Sequence, residues 1–120
     1  MKRVMVRYTV KPGRAAENER YIEQVFAELA RVAPAGVHYT AFKLDDGVTF
    51  VHLFAHEGDE GAGLLPTLAA FQAFRAGLNE RCEVAPVRTM LHEVGSYASA
   101  VIPRLASLAR DDTDTGHVPG

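Results

Sequence analysis

Tryptophan is absent from this sequence, and cysteine occurs once, at Cys82. A single thiol cannot close an internal disulfide, which fits a reducing compartment. The 120 residues allow one domain, large enough to hold itself together by packing alone. Long apolar runs are missing too, and none approaches the ~18 residues of a membrane span. The N-terminal Met1-Lys2-Arg3-Val4-Met5-Val6-Arg7 breaks its apolar residues with charge, unlike a secretory signal. Charge has no dominant sign: 13 Lys and Arg are scattered among 15 Asp and Glu, for a net charge of −2. That balance gives no electrostatic attraction to nucleic acid. The expectation is a cytoplasmic protein with neither membrane nor nucleic acid as partner.

Metal motifs are also lacking. There is no HExxH helix and no cysteine cluster. His52 and His56 are spaced as a helical metal pair would be, but on a strand four residues span ~13 Å and cannot share one ion. The segment Gly58-Asp59-Glu60-Gly61-Ala62-Gly63 is glycine-rich, yet its acids would repel a phosphate. No metal and no cofactor are expected.

The residues present describe alternating elements. Val4, Val6, Tyr8 and Val10 alternate with Met5, Arg7 and Thr9, the period of a strand, and Pro12-Gly13 ends it. Ile22, Val25, Phe26, Leu29 and Val32 then recur at helical spacing until Ala33, where Pro34 and Gly36 stop the helix. Val37 to His56 reads as a hairpin turning at Asp46-Gly47, a type I′ signal. One hairpin face carries Tyr39, Ala41, Lys43, Phe50, His52 and Phe54; the other carries Phe42, Leu44, Val51 and Leu53. Glu57 to Gly63 reads as a mobile loop. A second helix carries Leu68, Phe71, Phe74 and Leu78, and Pro86 introduces a last strand over Val87 to Val94. Strand, helix, strand, strand, helix, strand is the order of a ferredoxin-like βαββαβ α+β domain: a four-stranded antiparallel sheet with two helices on one face. Residues 1–97 form this domain. Residues 98–120 form a C-terminal extension, with a short helix near Pro103 and then a polar, flexible tail.

Two helices cover one face of such a sheet, and the other must be polar or find a partner. The face with Phe42, Leu44, Val51 and Leu53 is expected beneath the helices. Tyr39, Ala41, Phe50 and Phe54 would then be left outside, an apolar patch that two copies can bury against each other. A homodimer is expected, the alternative being a monomer whose C-terminal segment folds over that face.

Several side chains on that patch invite chemistry. His52, between Phe50 and Phe54, titrates in the range that proton transfer needs and is the candidate catalytic residue; its plain alternative is packing at an interface. Arg7, beside Met5 and Thr9, suits a carboxylate or phenolate, or else a surface ion pair. Tyr39, Phe50 and Phe54 can stack on a planar apolar small molecule, or simply pack. His92 is a further ligand-binding candidate, on a last strand whose facing the pattern leaves open. Cys82 has no nearby activating group and receives no role.

Val6-Arg7-Tyr8-Thr9-Val10-Lys11-Pro12-Gly13 before a long helix, and Phe50-Val51-His52-Leu53-Phe54 before an acidic loop, resemble the dimeric α/β-barrel superfamily. Within it, the chain looks like the antibiotic-biosynthesis-monooxygenase type of domain, over Met1 to about Tyr97. The resemblance implies a ligand cavity between sheet and helix or inside a shared barrel. Members oxidise polycyclic phenols or quinols with oxygen and no cofactor, degrade haem, or have no assigned activity. Such relatives use an Asn, a Trp or a His facing the cavity. This chain has no Trp, its Asn18 and Asn79 fall near predicted helix ends, and Leu68-Ala-Ala-Phe71 stands where many relatives begin the second helix with a His. Three readings follow: a cofactor-independent monooxygenase-like enzyme for a planar phenol or quinol, a non-catalytic binder of such a molecule, or a purely structural dimer.

Overall fold

The alternating valines form β1 (Lys2–Val10), the strand on which the rest of the sheet is built. The computed structural model describes residues 1–58 and 63–98. After β1 come α1 (Ala15–Val32), β2 (Val37–Lys43), β3 (Thr49–His56), a 3₁₀ turn (Leu65–Thr67), α2 (Ala69–Ala76), α3 (Leu78–Arg81) and β4 (Cys82–Leu91). The strands form one antiparallel sheet in the order β2-β3-β1-β4. With both helical segments on one face, this is the expected ferredoxin-like α+β architecture. Most of the expected Glu57–Gly63 loop, the helix near Pro103 and the polar tail lie outside the described residues.

α1 ends as Pro34 demands. Ala33 turns left-handed at φ 48° and its N–H donates to the Leu29 carbonyl at 2.7 Å. The Glu28 carboxylate on α1 accepts the Ala70 N–H at 2.8 Å, tying α1 to the first turn of α2. The expected second helix is broken in two at Gly77, with the 3₁₀ turn preceding it.

The hairpin register is the expected one, with Tyr39 opposite Phe54, Ala41 opposite His52 and Lys43 opposite Phe50. Its turn differs from type I′. The Gly47 N–H reaches the Leu44 carbonyl at 3.0 Å, and Gly47 is left-handed at φ +77° while Asp46 is not. Asp46 instead uses its carboxylate to accept from the Val48 and Thr49 N–H groups and the Thr49 hydroxyl, bonds that lower its pKa. β4 begins five residues earlier than expected, so Pro86 lies within it. This is an edge strand, and Tyr8 faces both Ala85 and Pro86 in a bulge that absorbs the missing donor.

The facing of the sheet is the reverse of the expectation. Tyr8, Phe50 and His52 are buried beneath the helices, whereas Phe42 is 50% exposed and Val51 and Leu53 share its outer face. Phe26 of α1 packs on Tyr39 and Phe74 of α2 on Tyr8, with ring centroids 5.1 and 6.3 Å apart. Apolar content does not separate the two faces; hydrogen bonding does. Tyr8, Tyr39 and His52 carry polar groups that need partners once buried; they bond to one another, and Asn18 of α1, itself held by Arg81 of α3, donates to Tyr8.

Candidate functional site

Four polar residues interrupt the apolar stripes of four elements, and the fold brings them to one place. Tyr8 and His52 lie on the inward rows of adjacent strands β1 and β3. Asn18 holds position i in the α1 stripe that continues through Ile22, Val25 and Leu29, and it is buried. Arg81 continues the Phe71, Phe74, Leu78 stripe into α3 and is 1% exposed.

They form one hydrogen-bonded chain. Arg81 donates from Nε and Nη2 to Asn18 Oδ1, both at 3.2 Å, and from Nη2 to the Phe74 carbonyl at 2.9 Å. Its guanidinium lies 4.5 Å from the Tyr21 ring centroid. Asn18 Nδ2 donates to the Tyr8 hydroxyl oxygen at 2.8 Å. Tyr8 Oη lies 2.8 Å from His52 Nε2, and Tyr39 Oη lies 2.6 Å from His52 Nδ1.

The direction of every bond follows from the end of the chain. A guanidinium only donates, so the oxygen of the Asn18 amide must face it and the nitrogen must face Tyr8. Tyr8 therefore accepts from Asn18, and its own proton has one acceptor in reach, the lone pair of His52 Nε2. His52 is then the neutral tautomer carrying its proton on Nδ1, which donates to Tyr39. The Tyr39 hydrogen is left to point away from the chain. Burial agrees with neutrality, since it pushes the His52 imidazole down to about 4. Burial also raises the Tyr8 and Tyr39 hydroxyls above the ordinary phenol value, with the Asn18 bond opposing the rise at Tyr8. Every buried side-chain N and O among the described residues has a partner.

Tyr39 and His52 line a cavity of about 580 Å³ between the sheet and the Leu65–Ala76 segment, walled by Phe54, His56, Phe71 and Phe74. His56 lies there with Nδ1 donating to the Gly58 carbonyl at 2.7 Å. The volume suits a drug-sized ligand.

The candidates named from the sequence separate accordingly. His52, Tyr39 and Phe54 line the cavity. Phe50 does not; it is core, stacked on Tyr8 at 5.6 Å. Arg7 pairs with Val51 on the outer face and is turned away from His52, because β1 presents its valine row inward. His92 is exposed beyond the end of β4 and stands apart from the cavity. Tyr8, Asn18, Arg81 and His56 were not among the sequence candidates. The signal for the first three was a polar group inside an apolar stripe. Among the described residues no three His, Cys, Asp or Glu side chains cluster as a metal site, and no helix is long and apolar enough to cross a membrane.

No protein-family model matches the chain, and no curated protein matches it in sequence. Solved structures do match. An antibiotic biosynthesis monooxygenase is similar with a TM-score of 0.67 at 14% identity, over 79% of this chain and all of that one. A protein from Mycobacterium tuberculosis gives 0.67 at 14% identity, over 81% and 98% of the two chains. A variant of SnoaB, a cofactor-independent oxygenase from Streptomyces nogalater, gives 0.63 at 17% identity, over 82% and 97%. The chain has the fold of the antibiotic-biosynthesis-monooxygenase domain.

Proposed function

We propose that this protein is a cofactor-independent oxygenase-like enzyme acting on a planar phenolic or quinol-type molecule held in the 580 Å³ cavity. The observation that carries this reading is the polarity of the Arg81–Asn18–Tyr8–His52–Tyr39 chain, which ends in a hydroxyl donor at the cavity wall. A phenolate or carbonyl oxygen placed there would accept the Tyr39 O–H, and a phenol ionises more readily when its anion has such a donor in a site poor in water. Tyr39 is the residue that touches the ligand. His52 acts through it as a positioning residue, because its Nε2 lone pair is already engaged by Tyr8.

The reaction class is conversion of a phenol to a quinone by dioxygen. One oxygen atom becomes the new carbonyl, the other leaves as water with the two hydrogens lost from carbon and hydroxyl, and the substrate supplies all four electrons. No reductant is required. The fold shared with a cofactor-independent oxygenase supports the reading.

The protein would act as a homodimer. Phe42, Leu53, Val84 and Val87 leave an exposed apolar outer face, and a second sheet could cover it without obstructing the cavity on the other side.

A non-catalytic binder is the second reading, favoured by the absence of a free base in the relay. Oxygen uptake with naphthols, anthrones and hydroquinones separates the two. Stoichiometric consumption with quinone formation supports the enzyme, binding without consumption leaves the binder, and neither result overturns both.

A further inference from the structure

The charges around the cavity run against those of the molecule. The chain as a whole carries more acids than bases, yet among the described residues no Asp or Glu lines this cavity, while Arg75 and Arg88 both do. Three other arginines are paired with carboxylates, Arg3 with Glu93 at 2.7 Å, Arg14 with Glu17 at 2.7 Å and Arg31 with Glu28 at 3.3 Å, while among the described residues Arg7, Arg20 and Arg81 are not. Among the described residues neither Arg75 nor Arg88 makes such a pair. Arg75 lies over the Phe71 ring, 5.8 Å from its centroid, which leaves the edges of its guanidinium available.

The sheet register places Arg88 relative to His52 and to the donor Tyr39, which is one strand further on β2 and one inward row along, about 16 Å from Arg88 by backbone spacing. Val6 pairs with His52 on one side and with Arg88 on the other, so His52, Val6 and Arg88 stand in one row on the inward face. Two strand spacings of ~4.8 Å put the Arg88 backbone about 10 Å from that of His52. Val6 lies between them in the sheet, and Phe54, Phe71 and Phe74 also wall the cavity. The cavity is therefore polarised, with a neutral hydrogen-bond donor at one end, aromatic walls, and guanidinium at the other.

Resting on the reading of this cavity as a ligand site, we propose that its ligand is an anion: a planar aromatic acid with its carboxylate on Arg88 and Arg75 and its phenolic or carbonyl oxygen on Tyr39. A guanidinium fork matches a carboxylate bidentately, and charge-assisted bonds of this kind exceed neutral ones. A neutral quinol would occupy the same space and leave both guanidinium groups to solvent alone.

Calorimetric titration of 6-hydroxynaphthalene-2-carboxylate and anthraquinone-2-carboxylate against their carboxamides tests this. The acids should bind at least about tenfold more tightly than the amides. Arg88→Gln should remove most of that difference, and Arg88→Lys, which keeps the charge without the fork, should restore part of it. Arg88 is exposed on an edge strand, and a thermal melt confirms that each variant is folded. Equal affinity of acids and amides overturns the anion inference and leaves the ligand site standing. Binding of neither overturns both.

Discussion

Arg81 and Asn18, 63 residues apart in sequence, meet in the core through two 3.2 Å bonds from one guanidinium to one amide oxygen. This contact sets the sense of every hydrogen bond as far as Tyr39, and it is also where the relay and the stability of the fold depend on each other. Asn18→Leu keeps the volume but leaves a buried guanidinium with the Phe74 carbonyl as its remaining acceptor, and it leaves Tyr8 with one bond fewer. The expected loss is about 3 kcal/mol, read as a lowered urea midpoint. A shift within the error of the wild type would show that Arg81 is not held as described.

His52 makes stability depend on pH. Its folded pKa of about 4 lies below the ordinary 6.5, so between these values the unfolded chain binds the extra proton. The contribution is complete above pH 6.5, is lost as pH falls toward 4, and levels off below that. It amounts to at most about 3 kcal/mol. His52→Gln should flatten the wild-type slope in this window. In NMR, the His52 ring should stay neutral at pH 5.5; titration near 6.5 would contradict its burial and tautomer.

Gly77 shows how tightly Arg81 is held. A Cβ at this position would meet Arg81 Nη1 at 3.2 Å. Helix propensity favours Gly77→Ala by up to about 1 kcal/mol, but the guanidinium is fixed by Asn18, the Phe74 carbonyl and the Tyr21 ring and cannot easily yield. Net destabilisation of about 1 kcal/mol is expected, and it should reverse when Arg81→Met is introduced first. Stabilisation by Gly77→Ala alone would mean that Arg81 moves freely.

The outer face carries a prediction about assembly. Leu53→Asp adds a charge where Phe42, Leu53 and Val87 are exposed, so it should leave the monomer fold intact and shift sedimentation from dimer to monomer. A wild-type protein that sediments as a monomer at high concentration would remove the dimer proposal.

Much of this was legible in the residues. The period of Val4 to Val10, the Ala33-Pro34 stop and the hairpin register all follow from local chemistry. Pro86 misled because its cost depends on whether its strand is central or at an edge, which only the assembled sheet decides. The facing of β1 and β3 failed for a related reason. Area favoured the Phe42–Leu53 face, but Tyr8, Tyr39 and His52 needed buried partners, which they find in one another and, for Tyr8, in Asn18 held by Arg81. Both partners were visible as polar interruptions of helical stripes, and only their meeting point required the structure. Arg7 and His92 are candidates by residue type, and neither type nor spacing records which side of a strand faces a cavity.

Tyr39→Phe tests the central claim most directly. It removes the terminal donor while the ring keeps its packing against Phe26, so the fold should survive with a loss of about 1–2 kcal/mol from the bond to His52. Oxygen uptake with a planar phenol would be measured for both proteins. A tenfold or greater fall in the variant is predicted for a hydroxyl that holds the reacting oxygen. Turnover by Tyr39→Phe at the wild-type rate would contradict the account, because the relay would then end in nothing the substrate uses.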